Sequence, residues 1–218
     1  GYTLVPTSMF ADGEPRHAAI LGAFNVHTSM FWGTRVEMYL IAENTRSGML
    51  TWVMCDYESN SINYDPGEGF SGATTSRAVV TTTHAGDVVV DVRSAQRANR
   101  LTVTAGLPGA SPRPLDARLW IEGNLSVDYG GRLMGDESVP FGLIFDPGEM
   151  TQALDVSRES VDLECNTFGE GFLAQEPFEV ACFPYAQHFI TTSYPQPIQI
   201  RDHRALVEAV TRIASESG

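Results

Sequence analysis

Long stretches of this chain alternate between apolar and polar residues with a period of two, as strands do when they bury one face of a sheet. The run from Arg35 to Ile41 is the clearest case, and it divides its side chains between two faces: Val36, Met38 and Leu40 on one, and Arg35, Glu37 and Tyr39 on the other. A second apolar run, Leu50 to Cys55, follows the turn residues Arg46-Ser47-Gly48, so the two runs predict a hairpin. Because an amphipathic helix needs a period of about 3.6, this pattern restricts the chain to a mainly β fold.

The same period continues along the sequence. A meander is predicted from three further runs, with a tight turn at His84-Ala85-Gly86: Ser76 to Thr83, Asp87 to Val92 and Arg100 to Thr104. A long strand is predicted from Ala117 to Asp128, with a bulge at Gly123. On that strand one face carries Arg118, Trp120 and Glu122, and this face lines a polar cavity if it points inward. Late strands are predicted over Val161 to Glu164 and Phe178 to Thr192.

Few helices are expected. A proline at the first helical position after Asp146 predicts a short helix near 147–154, and an amphipathic C-terminal helix capped by Asp202 is predicted near 203–215. No repeat, low-complexity tract or composition shift marks a linker, so we expect residues 1–218 to form a single domain. Many short strands in a chain of this length favour a closed antiparallel β-barrel, because closure removes exposed sheet edges.

The composition excludes several classes of chemistry. All 14 basic residues are arginines, because the chain contains no lysine, and 27 acidic residues give a net charge of -13. A lysine Schiff base and a P-loop phosphate site are therefore impossible. The dispersed arginines also argue against a nucleic-acid backbone or an anionic membrane surface as the partner.

Metals and cofactors are not expected either. The five histidines lack metal-ligand spacing, and the three cysteines, Cys55, Cys165 and Cys182, lie too far apart for a C-x-x-C site, so we interpret them as buried reduced thiols. The stretch Gly67 to Gly72 matches a dinucleotide fingerprint, but strand-like residues follow it where a helix is required. No apolar run of membrane-spanning length is visible, so we expect a soluble globular protein, and the reduced thiols are typical of the cytoplasm. No secretory leader is visible, and the start at Gly1 leaves open that the chain is trimmed.

Three segments carry a resemblance to a known superfamily. They are Phe24-Asn25-Val26-His27-Thr28, Thr51 to Asn60 followed by Gly67 to Ala73, and Glu176 to Val180 with His188 and Pro195. In the order of their strands and of the glycine-containing turns between them, they resemble the acetoacetate decarboxylase superfamily. The resemblance implies a β-barrel or cone with a deep internal cavity, in which the decarboxylases use two lysines for a Schiff base. The matching stretch here is Phe70-Ser71-Gly72-Ala73, so the resemblance implies lysine-independent chemistry.

Two functions are compatible with this pattern. The first is a cofactor-independent enzyme of the lyase, isomerase or cyclase type that acts on a partly apolar keto, enol or carboxylate-bearing molecule. Its predicted catalytic residues are Glu122, Glu68 and His27, and its predicted substrate-binding residues are Arg77, Arg118, Trp120 and Tyr129. The alternative is a non-catalytic small-molecule-binding β-barrel in which the same side chains orient a ligand. Each residue also has an ordinary structural interpretation as a core, surface or loop side chain. The sequence leaves open whether the chain forms a homo-oligomer.

Overall fold

A computed structural model describes most of the chain. The described residues are 1–27, 32–46, 48–60, 73–95, 100–116, 118–122, 142–145, 152–165, 178–183, 189–192 and 208. Within these ranges the structure is mainly β, so the predicted class is confirmed. The helices of the described part are short, and none is long and apolar enough to cross a membrane.

The described strands form one large sheet and two small ones. In chain order the strands are β1 (Tyr2–Leu4), β2 (Ala19–His27), β3 (Trp32–Asn44), β4 (Leu50–Ser59), β5 (Ala73–Thr82), β6 (Asp87–Ser94), β7 (Arg100–Gly106), β8 (Ser111–Pro114), β9 (Gly142–Phe145), β10 (Gln152–Asp155), β11 (Val161–Cys165), β12 (Ala181–Cys182) and β13 (Phe189–Thr192). The large sheet has the order β1-β3-β4-β5-β6-β7-β11, and β2 also pairs with β3. The small sheets have the orders β12-β10-β8 and β13-β9.

The predicted hairpin and meander are both confirmed in the large sheet. Strands β3 and β4 pair antiparallel, and β5, β6 and β7 follow as an antiparallel meander. Gly86 has a φ of 92° in the turn between β5 and β6, a conformation in which glycine avoids the steric cost of a side chain. Strand β5 runs parallel to β4 over two residue pairs, and β11 pairs antiparallel with β7. The strands of the described part form open sheets, not a closed barrel.

The prediction of a long strand from Ala117 to Asp128 is wrong at its beginning. Arg118–Glu122 forms a π-helical turn, and residues 123–128 lie outside the described residues. Asp116 stabilises this turn, because its carboxylate accepts a hydrogen bond from the Leu119 amide at 2.7 Å and its carbonyl accepts one from the Trp120 amide at 3.0 Å. Leu119 and Trp120 belong to one hydrophobic cluster, so consecutive residues face the same core, whereas a strand directs consecutive side chains to opposite faces.

Two other expectations are changed or remain open. Residues 152–154 of the predicted helix near 147–154 are in strand β10, because β10 finds pairing partners on both sides in β8 and β12. The rest of that helix, 147–151, lies outside the described residues. In the predicted helix near 203–215 the structure describes only Glu208, which is helical. The late strand at Val161 is confirmed as β11. In the long strand predicted from Phe178 to Thr192, residues 181–182 form β12 and residues 189–192 form β13, residues 178–180 and 183 are not in a strand, and residues 184–188 lie outside the described residues.

Strands β2, β3 and β4 form a central layer, in which β3 and β4 have buried residues on both faces. One face packs in an aromatic core that contains Phe10, Tyr39, Ile41, Leu50, Trp52, Leu115, Leu119, Trp120 and Ala153. The other face packs against the meander in an aliphatic core that contains Val36, Val90, Val92 and Leu101. Alternation along β3 therefore sends odd-numbered residues into the aromatic core and even-numbered residues into the aliphatic one.

A close approach near the N-terminus leaves little room for a side chain at Gly13. A Cβ on Gly13 would overlap the Ser8 hydroxyl and lie 2.9 Å from Glu179 Oε1. The Ser8 hydroxyl donates to the Glu179 carboxylate at 3.2 Å, and the same carboxylate accepts the Met9 amide at 3.1 Å. We expect Gly13→Ala to lower the free energy of unfolding by about 1 to 3 kcal/mol, measured by urea denaturation.

Gly22 provides the matched control for this substitution. Its added Cβ would meet only ring atoms of Phe24 and Tyr39, at 3.7 Å and 3.9 Å, which is ordinary van der Waals contact. We expect Gly22→Ala to change the free energy of unfolding by less than about 1 kcal/mol. Equal losses from the two substitutions would contradict the steric argument for Gly13.

Candidate functional site

Buried polar side chains concentrate at one end of the central layer. The described part of the chain contains seven buried polar or charged residues: Ser8, Thr34, Arg35, Glu37, Thr51, Glu58 and Ser59. Five of these seven lie together at the beginning of β3 and the end of β4, where Arg35 is opposite Ser59 and Val36 is opposite Glu58. We name this set, Thr34, Arg35, Glu37, Glu58 and Ser59, the buried polar end. Charged side chains are rarely fully buried, and those with perturbed acidity cluster at functional sites, so the buried polar end is the candidate for a functional site.

The alternation of β3 decides which face each of these side chains occupies. Arg35 and Glu37 continue the odd-numbered face that further along carries Tyr39 and Ile41. Glu58 is paired with Val36 and therefore shares the even-numbered face, which packs against the meander. The central layer thus places an arginine and a carboxyl group on one face and a second, fully buried carboxyl group on the other.

Glu37 is the group with the most perturbed acidity in the site. Arg35 Nε lies 2.7 Å from Glu37 Oε1, and the Tyr39 hydroxyl donates a hydrogen bond to Oε2. Burial raises the pKa of Glu37 from 4.5 to about 7, and the charge and hydrogen bond of Arg35 lower it less than burial raises it. The Glu37 carboxyl therefore changes its protonation state near neutral pH.

A chain of amide and hydroxyl groups links this end of the layer to neighbouring strands. The Thr34 amide donates to Asn60 Oδ1 at 2.7 Å, and the Thr34 hydroxyl donates to Asn25 Oδ1 at 2.8 Å. Asn25 in turn donates from its side-chain nitrogen to the Val80 carbonyl on β5 at 3.0 Å. Strands β2, β3 and β5 and the residue that follows β4 are thus connected beside Arg35.

Aromatic packing fixes the ring of Tyr39, whose hydroxyl donates to Glu37. The ring of Tyr39 contacts Trp52 edge to face with centroids 5.0 Å apart, and Trp52 contacts Trp120 in the same way at 5.2 Å. Trp52 Nε1 donates to the Leu119 carbonyl at 3.0 Å, which fixes the indole. Such edge-to-face pairs restrict ring orientation, so the Tyr39 hydroxyl is directed at Glu37 by the core.

Three of the predicted substrate-binding residues have described partners outside the buried polar end. Arg77 is exposed on β5 and pairs with Asp91, with its Nε 2.8 Å from the carboxylate. Arg118 is also exposed, and its Nη2 donates to Glu43 at 2.7 Å and to the Gly48 carbonyl at 2.6 Å. Trp120 lies in the aromatic core, where its Nε1 donates to the Met9 carbonyl at 3.2 Å.

Their positions do not test a role in binding, so all seven predicted site residues stay predictions. Glu68 and Tyr129 lie outside the described residues, and of Glu122 and His27 the structure describes only the backbone. Glu122 ends the π-helical turn. His27 ends β2 opposite Trp32, at the same end of the central layer as Arg35.

Arg35 and Glu37 were not predicted as site residues, although the sequence contains a signal for them. The alternation analysis placed them on the polar face of a half-buried strand, yet Tyr39 and Ile41 continue that same face with bulky apolar groups. A strand with large apolar residues at both parities is buried on both faces. Charged residues within such a strand then indicate a site.

Metal and thiol chemistry find no support in the described part. Within the described ranges no three His, Cys, Asp or Glu side chains come together as metal ligands. Cys55 and Cys182 are free and half-buried, and burial raises the pKa of each thiol. A raised thiol pKa lowers the fraction of the nucleophilic thiolate at neutral pH.

Comparison with known proteins adds no relative to this description. No protein-family model, no curated protein and no solved structure matches the chain. The buried polar end is therefore the feature from which a function is inferred.

Proposed function

We propose that this protein is a cofactor-independent enzyme that transfers a proton on a small keto, enol or carboxylate-bearing molecule, as an isomerase, lyase or cyclase. The observation that carries the proposal is the Glu37 carboxyl, buried between Arg35 and Tyr39 with a pKa of about 7. A general acid or base works best when its pKa is close to the operating pH, because both protonation states are then populated.

The neighbours of Glu37 supply the other requirements of such a reaction. The Arg35 guanidinium supports a developing enolate or carboxylate charge, and in a buried setting this attraction is stronger than in water. Tyr39 donates to the Glu37 carboxylate and holds its orientation. Exposed Asn60 accepts a hydrogen bond from the amide of Thr34, the residue before Arg35, so this end of β3 is close to the surface.

A barrel or cone is part of the same proposal. The sheet passes from β2 through β3 and β4 to β5, and the hydrogen bond from Asn25 to the Val80 carbonyl brings β2 back towards β5. This curvature favours closure around an internal cavity of the kind that the resemblance to the acetoacetate decarboxylase superfamily implies. The absence of lysine makes the chemistry independent of a Schiff base. Glu122, Glu68 and His27 are the candidates for a second proton-transfer group, and the cytoplasm is the proposed compartment.

A non-catalytic binding protein is the second candidate. The observation that favours it is that both oxygens of Glu37 are already engaged, Oε1 by Arg35 and Oε2 by Tyr39. A carboxyl held in this way orients a ligand through its neighbours without exchanging a proton with it.

Deuterium exchange tests the enzymatic proposal without knowledge of the complete reaction. A panel of enolisable keto acids is incubated with the protein in D2O, and loss of the proton on the carbon next to the carbonyl is followed by NMR. We expect the wild-type chain to accelerate exchange in at least one compound and Glu37→Gln to reduce that rate by about 100-fold or more. Glu43→Gln is the matched control, because Glu43 is on the same strand but pairs with Arg118 at the surface.

The same samples distinguish the two candidate functions. Exchange that is lost in Glu37→Gln and kept in Glu43→Gln supports the enzyme. Binding of a compound, detected by native mass spectrometry and weakened by Glu37→Gln without any exchange, supports the binding protein. Exchange or binding that is indifferent to Glu37→Gln contradicts both candidates.

A further inference from the structure

A glycine lies directly across from Glu37 in the neighbouring strand. In the register of β2 with β3, Gly22 is opposite Glu37, and Phe24 is opposite Arg35. Residues that are directly opposite each other in an antiparallel pair share one face of the sheet, with their Cβ positions about 4.5 to 5.5 Å apart. The nearest position to Glu37 on β2 therefore carries no side chain.

The packing of β2 shows the same face independently of the register. Ile20 packs against the aromatic core, whereas Leu21 packs against the aliphatic core. Gly22 and Phe24 have the parity of Ile20, so they belong to the aromatic-core face of the layer. Glu37 is on that face as well, because the odd-numbered residues of β3 are directed to it.

The position of Gly22 has space for one methyl group. A Cβ added to Gly22 would lie 3.7 Å and 3.8 Å from ring carbons of Phe24 and 3.9 Å from a ring carbon of Tyr39. These are ordinary van der Waals distances, so a carbon atom fits there without displacing its neighbours. We name Gly22 and the flanking rings of Phe24 and Tyr39 the apolar slot.

The apolar slot lies between a buried ring and a ring at the surface. Tyr39 is 6% exposed, whereas Phe24 is 36% exposed although it is large and apolar. In the part of the chain that the structure describes, Phe24 belongs to neither the aromatic nor the aliphatic core. Rotation of the Phe24 ring therefore does not require a core to unpack, and the slot has a cover that can open to solvent.

We propose that the substrate of the Glu37 site is a small α-keto acid with a single alkyl group beyond the reacting carbon, and that this group lies in the apolar slot. The inference rests on the proposed function, because it names the substrate class of that reaction. A carboxyl base removes a proton from a carbon next to a carbonyl, and the carboxylate beside that carbonyl is attracted by the Arg35 guanidinium. The alkyl end then lies over Gly22, across from Glu37.

The reaction at this site moves one proton and one electron pair. The Glu37 carboxylate takes a proton from the carbon next to the carbonyl, the C–H electron pair forms the double bond of the enolate, and the carbonyl oxygen takes the negative charge. Return of a proton to the same carbon restores the keto acid. In D2O the carbon therefore acquires deuterium from the solvent, and no other reactant is needed.

Pyruvate and α-ketobutyrate test the apolar slot, because they differ by the one methyl group that it holds. Deuterium exchange at the carbon next to the carbonyl is followed by NMR for both acids, and kcat/KM is compared for each exchangeable proton. A single methylene in an apolar pocket changes kcat/KM by about 10- to 200-fold. We therefore expect the wild-type chain to prefer α-ketobutyrate by about tenfold or more.

Gly22→Ala places a methyl group of the protein where the substrate methyl lies. We expect this variant to lower kcat/KM for α-ketobutyrate by about tenfold or more, and to change kcat/KM for pyruvate by less than about twofold. Gly106→Ala is the matched control, because its Cβ also makes only ordinary contacts, at 3.6 Å from Asp87 and Ser160, but at the end of β7. We expect the control to keep both rates.

Phe24→Ala removes the outer wall of the apolar slot. We expect the preference for α-ketobutyrate over pyruvate to fall below about threefold, because the substrate methyl then loses its contact with the ring. Leu4→Ala is the control, since Leu4 is an apolar residue on β1 that is 55% exposed. An aromatic side chain can also cover a neighbouring glycine for stability alone. In that case Phe24→Ala lowers the free energy of unfolding and keeps the preference, which overturns the inference.

The outcomes separate this inference from the proposed function. Equal exchange of the two acids by the wild type, or a preference that survives Gly22→Ala or Phe24→Ala, overturns the inference, while loss of exchange in Glu37→Gln still supports the proposed function. A wild-type chain that exchanges neither acid contradicts the proposed function, and binding then decides the inference. Saturation-transfer NMR must show α-ketobutyrate bound about tenfold more tightly than pyruvate, with this difference lost in Gly22→Ala. Equal binding, or none, overturns the inference.

Discussion

Replacing Glu37 with glutamine is expected to remove about 2 to 3 kcal/mol of pH dependence from the stability of this protein between pH 5 and pH 8. In the unfolded chain the carboxyl loses its proton near its ordinary pKa of 4.5, whereas burial raises the pKa to about 7 in the fold. Between these values the folded state binds the proton more tightly, so the free energy of unfolding falls as the pH rises through this window. Above the folded pKa, the Glu37 carboxyl lowers the free energy of unfolding no further.

Urea denaturation at several pH values measures this effect. The wild-type chain and Glu37→Gln are compared, and the difference between their free energies of unfolding isolates the contribution of Glu37 from that of the other acids. Glu43→Gln is the control, because an exposed ion pair such as Glu43 with Arg118 contributes at most about 1 kcal/mol. Parallel pH profiles for the wild type and Glu37→Gln would show that the Glu37 carboxyl ionises at an ordinary pKa in the fold.

Truncating Trp52 is expected to lower the free energy of unfolding by about 3 to 5 kcal/mol. The side chain of Trp52 is buried between Tyr39 and Trp120, and Trp52→Ala removes both edge-to-face contacts and leaves a cavity in the aromatic core. The substitution also deprives the buried Leu119 carbonyl of its indole donor. Thermal or urea unfolding monitored by far-ultraviolet circular dichroism measures the loss.

Two further variants separate packing from hydrogen bonding at Trp52. Trp52→Phe keeps an aromatic ring but removes the donor to Leu119, so we expect an intermediate loss, with about 1 to 3 kcal/mol from the unpaired carbonyl. Tyr2→Ala is the surface control, because Tyr2 is 54% exposed on β1, and we expect a change within about 0.5 kcal/mol. A loss in Trp52→Ala no larger than that of Tyr2→Ala would contradict the placement of Trp52 in the core.

The two predictions concern one connected structure. Trp52 packs on Tyr39, and Tyr39 donates to Glu37, so the aromatic core and the proton-binding group share a side chain. Loss of Trp52 is therefore expected to change the pH profile of stability as well as its level. A site supported in this way is held by packed neighbours on a central strand, which favours the fixed geometry that proton transfer requires.

The period-two pattern of the sequence was sufficient to predict the hairpin and the meander. It predicted β3 with its hairpin partner β4, and the meander β5 to β7, because alternation depends only on which side chains avoid water. It did not predict the turn at Arg118–Glu122, since hydrogen bonds to Asp116 and burial of both Leu119 and Trp120 override the local strand pattern there. The candidate site was predicted in the same partial way. Alternation placed Arg35 and Glu37 on one face of β3, but it did not predict that this face is buried.

By itself the sequence determined the mainly β class, the hairpin, the meander and the exclusion of lysine chemistry, all of which follow from residue type and period. Only the tertiary structure decided that the polar face of β3 is covered by an aromatic core. Alternation gives two faces for every strand but does not state how many layers cover them. That second layer buries Glu37, raises its pKa to about 7 and makes an ordinary-looking strand carboxylate the candidate proton-transfer group.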